Sequence, residues 1–149
     1  MKPATLAIAI AAAGLALPAA AQHKPEQVIH YRQAAMTMIG WNFGALAAMV
    51  KGKTAWDAQV FALRADRIAG LAPQVLEGFA KGSDKGATTD AKPGIWKKFD
   101  DFTAKDKNLI EQTRALADVA KGGDAAAMKE QFKKTAQACK DCHEKYKAD

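Results

Sequence analysis

The chain has 149 residues, 22 Lys plus Arg against 16 Asp plus Glu, two cysteines, three histidines and 49% apolar residues. Two cysteines exclude a multi-disulfide scaffold, and the ample Leu, Ile, Val and Phe beside 26% charged residues exclude a disordered chain, so one packed domain is expected. The formal charge of +6 is spread among acidic residues, which describes a solvated surface rather than a nucleic-acid stripe.

Residues 1–21 carry Lys2, an apolar run from Leu6 to Leu17, the helix breaker Pro18, and small residues at Ala19 and Ala21. This is the pattern of a secretory signal peptide, expected to be cleaved after Ala21. A membrane span needs about 20 apolar residues, and the run before Pro18 falls short. The expected organisation is therefore a signal peptide over 1–21 and one domain over 22–149, exported to the periplasm, with no membrane span in the mature chain. Free thiols do not persist in such a compartment unless they are bonded to something.

The mature sequence has no period-2 strand pattern and no hairpin dipeptide between β-branched runs, so it reads as all-helical. From Pro25, the residues Ile29, Met36, Phe43 and Val50 fall seven apart with Ile39 and Leu46 between them, one stripe along a helix that ends near Gly52. A second helix is expected to start at Thr54, with Asp57 in its first turn; Val60, Leu63, Ile68, Leu71, Val75 and Phe79 recur at roughly helical spacing, with Pro73 among them expected to kink or break the helix. Lys81 to Gly94 is rich in Gly, Ser, Thr and Asp, without apolar periodicity, and reads as a long loop. A third helix is expected from about Ile95 through Phe99, Phe102, Leu109, Leu116 and Val119 to Gly122 and Gly123. Asp124 is placed to cap a fourth, whose Met128, Phe132, Thr135, Cys139, Cys142 and Tyr146 share one face. Four such helices predict an antiparallel four-helix bundle, whose interior can hold a cofactor.

The fourth helix contains Cys139-Lys140-Asp141-Cys142-His143, the C-x-x-C-H arrangement that attaches c-type haem. Two thiols three residues apart can each add to one vinyl group of a porphyrin, while the adjacent imidazole reaches the iron. A thioredoxin-like pair would follow a strand at a helix N-terminus, where the dipole lowers the thiol pKa, and this pair lies late in a helix. Zinc wants four ligands, of which only Cys139, Cys142 and His143 are local. A plain disulfide leaves His143 without a role. One covalent haem c, held by Cys139 and Cys142, is the expected cofactor.

The position of this box near the C-terminus resembles the class II c-type cytochromes, the cytochrome c′ family. KPEQVIHYRQAAM at Lys24–Met36, NFGALAAMVKG at Asn42–Gly52, DAKPGIW at Asp90–Trp96 and CKDCHEKYK at Cys139–Lys147 resemble family segments in family order. The resemblance implies a haem inside the bundle, His143 as proximal ligand, and helix one over the distal face. Arg32 falls on a core-facing position, where a charge requires a partner such as a haem propionate. The resemblance carries Arg32 and Gln33 over as haem contacts, and Asp90 with them, although Asp90 reads equally well as an ordinary loop residue.

Met36 is the candidate for the sixth coordination position. Met128 lies 15 residues before His143 on the same helix, about 22 Å away along the axis, Met38 falls off the stripe, and Met49 is at the far end of helix one. A bound thioether gives a low-spin electron carrier with a raised potential; a thioether that only packs leaves an iron open to nitric oxide or carbon monoxide. The expected role is single-electron transfer between redox partner proteins, without enzymatic activity; gas binding is the alternative. A peroxidase is disfavoured because Met36, Ile39 and Phe43 supply no distal His or Arg. A homodimer through helices one and two is also expected from the resemblance.

Overall fold

The computed structural model describes residues 23–148, so the signal-peptide segment and its expected cleavage point lie outside the described residues. The chain forms α1 (Pro25–Val50), α2 (Ala58–Leu71), two short 3-10 turns (Ala72–Gln74 and Leu76–Phe79), α3 (Gly94–Lys97), α4 (Phe99–Lys121) and α5 (Ala125–Tyr146). The four long helices make the antiparallel bundle, with α1 on α2, α2 on α4 and α4 on α5.

Helix ends follow their local chemistry. Pro25 occupies the first turn of α1, and Lys24 N–H donates to Gln27 Oε1 at 3.1 Å. After α1 and α4 the chain turns through Gly52 at φ 67° and Gly123 at φ 74°, backbone that favours glycine. Asp124 caps α5 by accepting from the N–H groups of Ala126 and Ala127. At α2 the expectation needs correction. The cap is Asp57, whose Oδ1 accepts from Gln59 and Val60 N–H at 2.9 and 3.0 Å, so the helix starts at Ala58 rather than near Thr54.

Packing selects the inward face of α2. Phe61, Ala65, Ile68 and Ala72 are buried, whereas Val60 and Leu63 are exposed. These buried positions are spaced four, three and four apart, one stripe of the helix, and Val60 and Leu63 project from its other side. The third predicted helix is broken at Lys98, where φ −131° and ψ 47° interrupt the helix and separate α3 from α4.

Among the described residues the one strand-like pairing is the bridge between Ala91 and Lys147. It ties the long loop to the end of α5, with Lys92 N–H donating to Tyr146 O at 2.9 Å and Ala148 N–H to Asp90 O at 2.7 Å. Core packing runs through Phe61, Ile68, Leu116 and Met128, all fully buried. No described helix is long and apolar enough to cross a membrane.

Candidate functional site

The Phe43 and Phe132 rings stack with centroids 4.5 Å apart, joining α1 to α5. Beyond this stack, toward the start of α1 and the end of α5, the two helices flank a cavity of about 560 Å³. The stack sets their antiparallel register: Met36, seven residues before Phe43, comes level with Cys139, seven residues after Phe132. All seven residues singled out in the sequence line this one cavity: Arg32, Gln33 and Met36 from α1, Asp90 from the loop, and Cys139, Cys142 and His143 from α5. Ile39, Phe79, Ile95, Phe102 and Leu109 complete a mainly apolar wall.

Both cysteines are free and half-buried. Burial raises the Cys139 thiol and pushes Cys142 up to about 11. This is the opposite of the depressed thiol of a redox-exchange pair, and it keeps both groups protonated at neutral pH. Burial, reinforced by the charge of Lys147, lowers His143 and leaves a neutral imidazole with a lone pair to give. Among the described residues no three His, Cys, Asp or Glu side chains converge as a metal site, so the zinc alternative lacks its ligand set.

Arg32 is 3% exposed, and its partners belong to the protein. Nη1 donates to Gly78 O, Ser83 O and Ser83 Oγ at 3.0, 2.9 and 3.1 Å, and Nη2 donates to Thr89 Oγ1 at 2.8 Å. The guanidinium also lies over the Phe79 and Trp96 rings, at 5.1 and 5.5 Å from their centroids. The second 3-10 turn and the loop after it thus compensate the buried charge, and the guanidinium moors both to α1. Gly78 allows this approach, because a Cβ there would collide with Arg32 Cβ. Gln33 Nε2 donates to Thr88 O at 2.9 Å and holds the same loop. Asp90 Oδ2 sits 3.8 Å from Lys147 Nζ, an exposed pair at the cavity mouth.

Met36 packs half-buried against the core on the cavity wall. Met38 is 53% exposed, and Met49 and Met128 are buried in the bundle but do not line the cavity. Asp106 and Tyr146 also line the cavity, and neither carries a site role in the sequence. Asp106 is 5% exposed, and no described group bonds its Oδ1. It lies on the inward stripe of α4, four residues after Phe102, so the visible signal was a carboxylate at an apolar position. Tyr146 was visible as a seam residue, but its contact with the cavity depends on how α4 and α5 pack.

A macrocycle with two attachment points and one axial ligand fits these walls. The volume falls within the range of about 300–1,000 Å³ for small-molecule sites, and both thiols and the imidazole face the same space. The model of the Cytochrome C′ family matches residues 27–147. The chain belongs to the cytochrome c′ family. Covalently bound haem c is the cofactor of that family. Among relatives, cytochrome c′ of Rubrivivax gelatinosus is 39% identical over 124 residues, covering 83% of this chain and 96% of the relative. The structure of cytochrome c prime from Shewanella frigidimarina superposes with a TM-score of 0.82 at 44% identity, covering 86% of this chain and 99% of that one. A nitric oxide complex of a mutant cytochrome c prime from Alcaligenes xylosoxidans superposes with a TM-score of 0.79 at 28% identity, covering 86% and 98%.

Proposed function

We propose that the chain is an exported single-electron carrier in which Cys139 and Cys142 would hold a haem through their sulfurs and His143 would ligate its iron, with Met36 as the candidate second protein ligand. The observation that carries this reading is the convergence of the two thiols, the imidazole and the Met36 thioether on one apolar cavity at one level of the bundle. When bound, haem supplies a one-electron couple and an iron that takes soft or gaseous ligands. The chain's own residues do the rest. Desolvation at the cavity wall, then the charge of Lys147, lowers His143 and favours the neutral imidazole with its lone pair; Cys139 and Cys142 would fix the ring edge to α5. Ile39, Phe43 and Phe79 exclude water, which limits reorganisation when charge changes. Arg32 and Gln33 keep the loop closed over the site, and Asp90 stands at its mouth as a contact for the cofactor edge.

Residues 1–21 act in this reading as the signal peptide, and the periplasm is the working compartment, where redox proteins are the partners. Haem attachment is tested by intact mass of protein matured with a cytochrome c assembly system. One porphyrin surviving acid-acetone extraction is expected, and Cys139→Ala with Cys142→Ala should abolish it. An apo chain carrying a Cys139–Cys142 disulfide would overturn the reading.

Gas binding is the second reading, supported by the apolar surroundings of Met36 and by the nitric oxide complex of the Alcaligenes relative. Ferric and ferrous absorption spectra with a nitric oxide titration separate the two: a low-spin protein that resists the gas carries electrons, and a high-spin one that takes it up binds gas.

A further inference from the structure

Tyr146 is 4% exposed, one turn beyond His143 on α5, with its side chain on the cavity wall. Its hydroxyl donates to Asp101 Oδ2 at 2.5 Å, on a carboxylate whose side chain is 45% exposed. The same oxygen accepts from Lys145 Nζ at 2.9 Å, and the two hydrogen bonds hold Asp101 ionised. Tyr146 therefore links the buried cavity to a carboxylate at the surface. Its ring meets Phe102 edge-on, with centroids 5.3 Å apart; Phe102 lies 4.6 Å from Phe79, and Phe79 lies 6.1 Å from the half-buried Trp96. Neither attachment nor iron ligation uses this phenol.

We propose that Tyr146 is a redox-active side chain that discharges oxidising equivalents left at the haem site by hydroperoxides, with Asp101 as its proton acceptor. This rests on the haem reading above. Reduction of hydrogen peroxide to two waters takes two electrons and two protons: Tyr146 supplies one electron, the haem site the other, and solvent both protons. In that step the ring loses one electron to the oxidised site, the phenolic O–H bond breaks, and an O–H bond forms on Asp101 Oδ2. The products are a neutral phenoxyl radical and a neutral carboxylic acid. A phenol that has lost an electron is a strong acid, so even a carboxylate stabilised by Lys145 takes the proton. An external one-electron reductant then returns the electron, and Asp101 returns the proton. The contacts through Phe102 and Phe79 place Trp96 as the next oxidisable ring.

The test mixes haem-loaded protein with hydrogen peroxide, freeze-quenches it, and reads protein radicals by electron paramagnetic resonance. The chain has two tyrosines, so Tyr146→Phe and Tyr31→Phe assign the signal. The wild type and Tyr31→Phe should give a tyrosyl signal, and Tyr146→Phe should lose it, whether or not a tryptophan signal takes its place. Asp101→Asn should cut the tyrosyl yield several-fold and enlarge its deuterium solvent effect, which a merely structural hydrogen bond would not do. A tyrosyl signal that persists in Tyr146→Phe, or no protein radical in the wild type, overturns the proposal; an unchanged yield in Asp101→Asn removes Asp101 from it. The absorption spectrum of each sample reports haem loading separately, so a failure of the haem reading is seen as such.

Discussion

Met36 and Asp106 face the same cavity with opposite chemical consequences. Met36→Leu keeps volume and apolarity, so the bundle should lose less than about 1.5 kcal/mol. If the sulfur binds iron, the variant should lose the weak near-infrared sulfur-to-iron band of the ferric protein, become high-spin, and take up nitric oxide or carbon monoxide more readily. A wild type that already lacks the band and binds these gases as readily as the variant makes Met36 a packing residue. Asp106 is a carboxyl in an apolar wall, and burial raises it from 3.8 to about 6. The folded state therefore holds this proton to higher pH than the unfolded chain does. Its contribution to stability falls as pH rises from about 4 to about 6 and stays unfavourable above, by an amount on the order of 3 kcal/mol. Asp106→Asn should flatten that part of the stability-pH profile and raise stability at pH 7, as read by denaturant unfolding at a series of pH values. A profile unchanged by the substitution would place the carboxyl in contact with water.

At the level of elements, the site depends on how α5 begins and how the loop before α3 is moored. Asp124→Ala removes the acceptor for two N–H groups at the start of α5 and should cost about 0.5–2 kcal/mol, seen as a lower unfolding midpoint with the haem spectrum intact. Gly78→Ala puts a Cβ against Arg32 in a closely packed place. It should cost about 1–3 kcal/mol and loosen the loop, read as faster amide exchange over 78–89. The caps at α1 and α5 were legible because Pro, Asp and Gly act within a few residues of where they stand. The start of α2 was not, since Thr54 and Asp57 are both competent caps and the structure uses Asp57. Nor was the break at Lys98, where no proline or glycine marks the interruption and α3 packs separately before α4 begins.

For the whole molecule, the outward faces of α1 and α2 carry an unusual load of apolar side chains. Trp41 is 77% exposed, Met38 53%, Leu63 52% and Val60 37%, on two helices packed against each other. Large apolar side chains gathered at a surface mark interaction sites, and a second copy joined by a two-fold axis is the commonest arrangement. We infer a homodimer through this face. Sedimentation of the mature protein should give twice the chain mass, and Trp41→Lys with Leu63→Lys should give a monomer with an unaltered haem spectrum. A wild-type monomer at high concentration would refute it. The periodicity of this short apolar segment is compatible with Val60 and Leu63 inside as well as with Phe61 and Ile68 inside, and packing selects the second stripe.

What the amino-acid sequence determined by itself was the chemistry that depends on neighbours along the chain. The Cys139-Lys140-Asp141-Cys142-His143 box, the helical periodicity of four segments, the start of α1 at Pro25 and the cap at Asp124 were readable, since a few residues of helix bring such positions together without help from elsewhere, whereas Arg32, Gln33 and Asp90 came from the family resemblance. Partners between distant segments were decided by the tertiary structure. The burial of Arg32 was foreseeable from its place on the stripe, but its hydrogen bonds to Gly78, Ser83 and Thr89 come from a 3-10 turn and the loop after it, 46 to 57 residues away, with no periodicity to place them. The same holds for Asp106 in the cavity and for Tyr146 on Asp101. Each pairing depends on the register of α4 against α5, which is set by side-chain packing across the bundle and not by any local pattern.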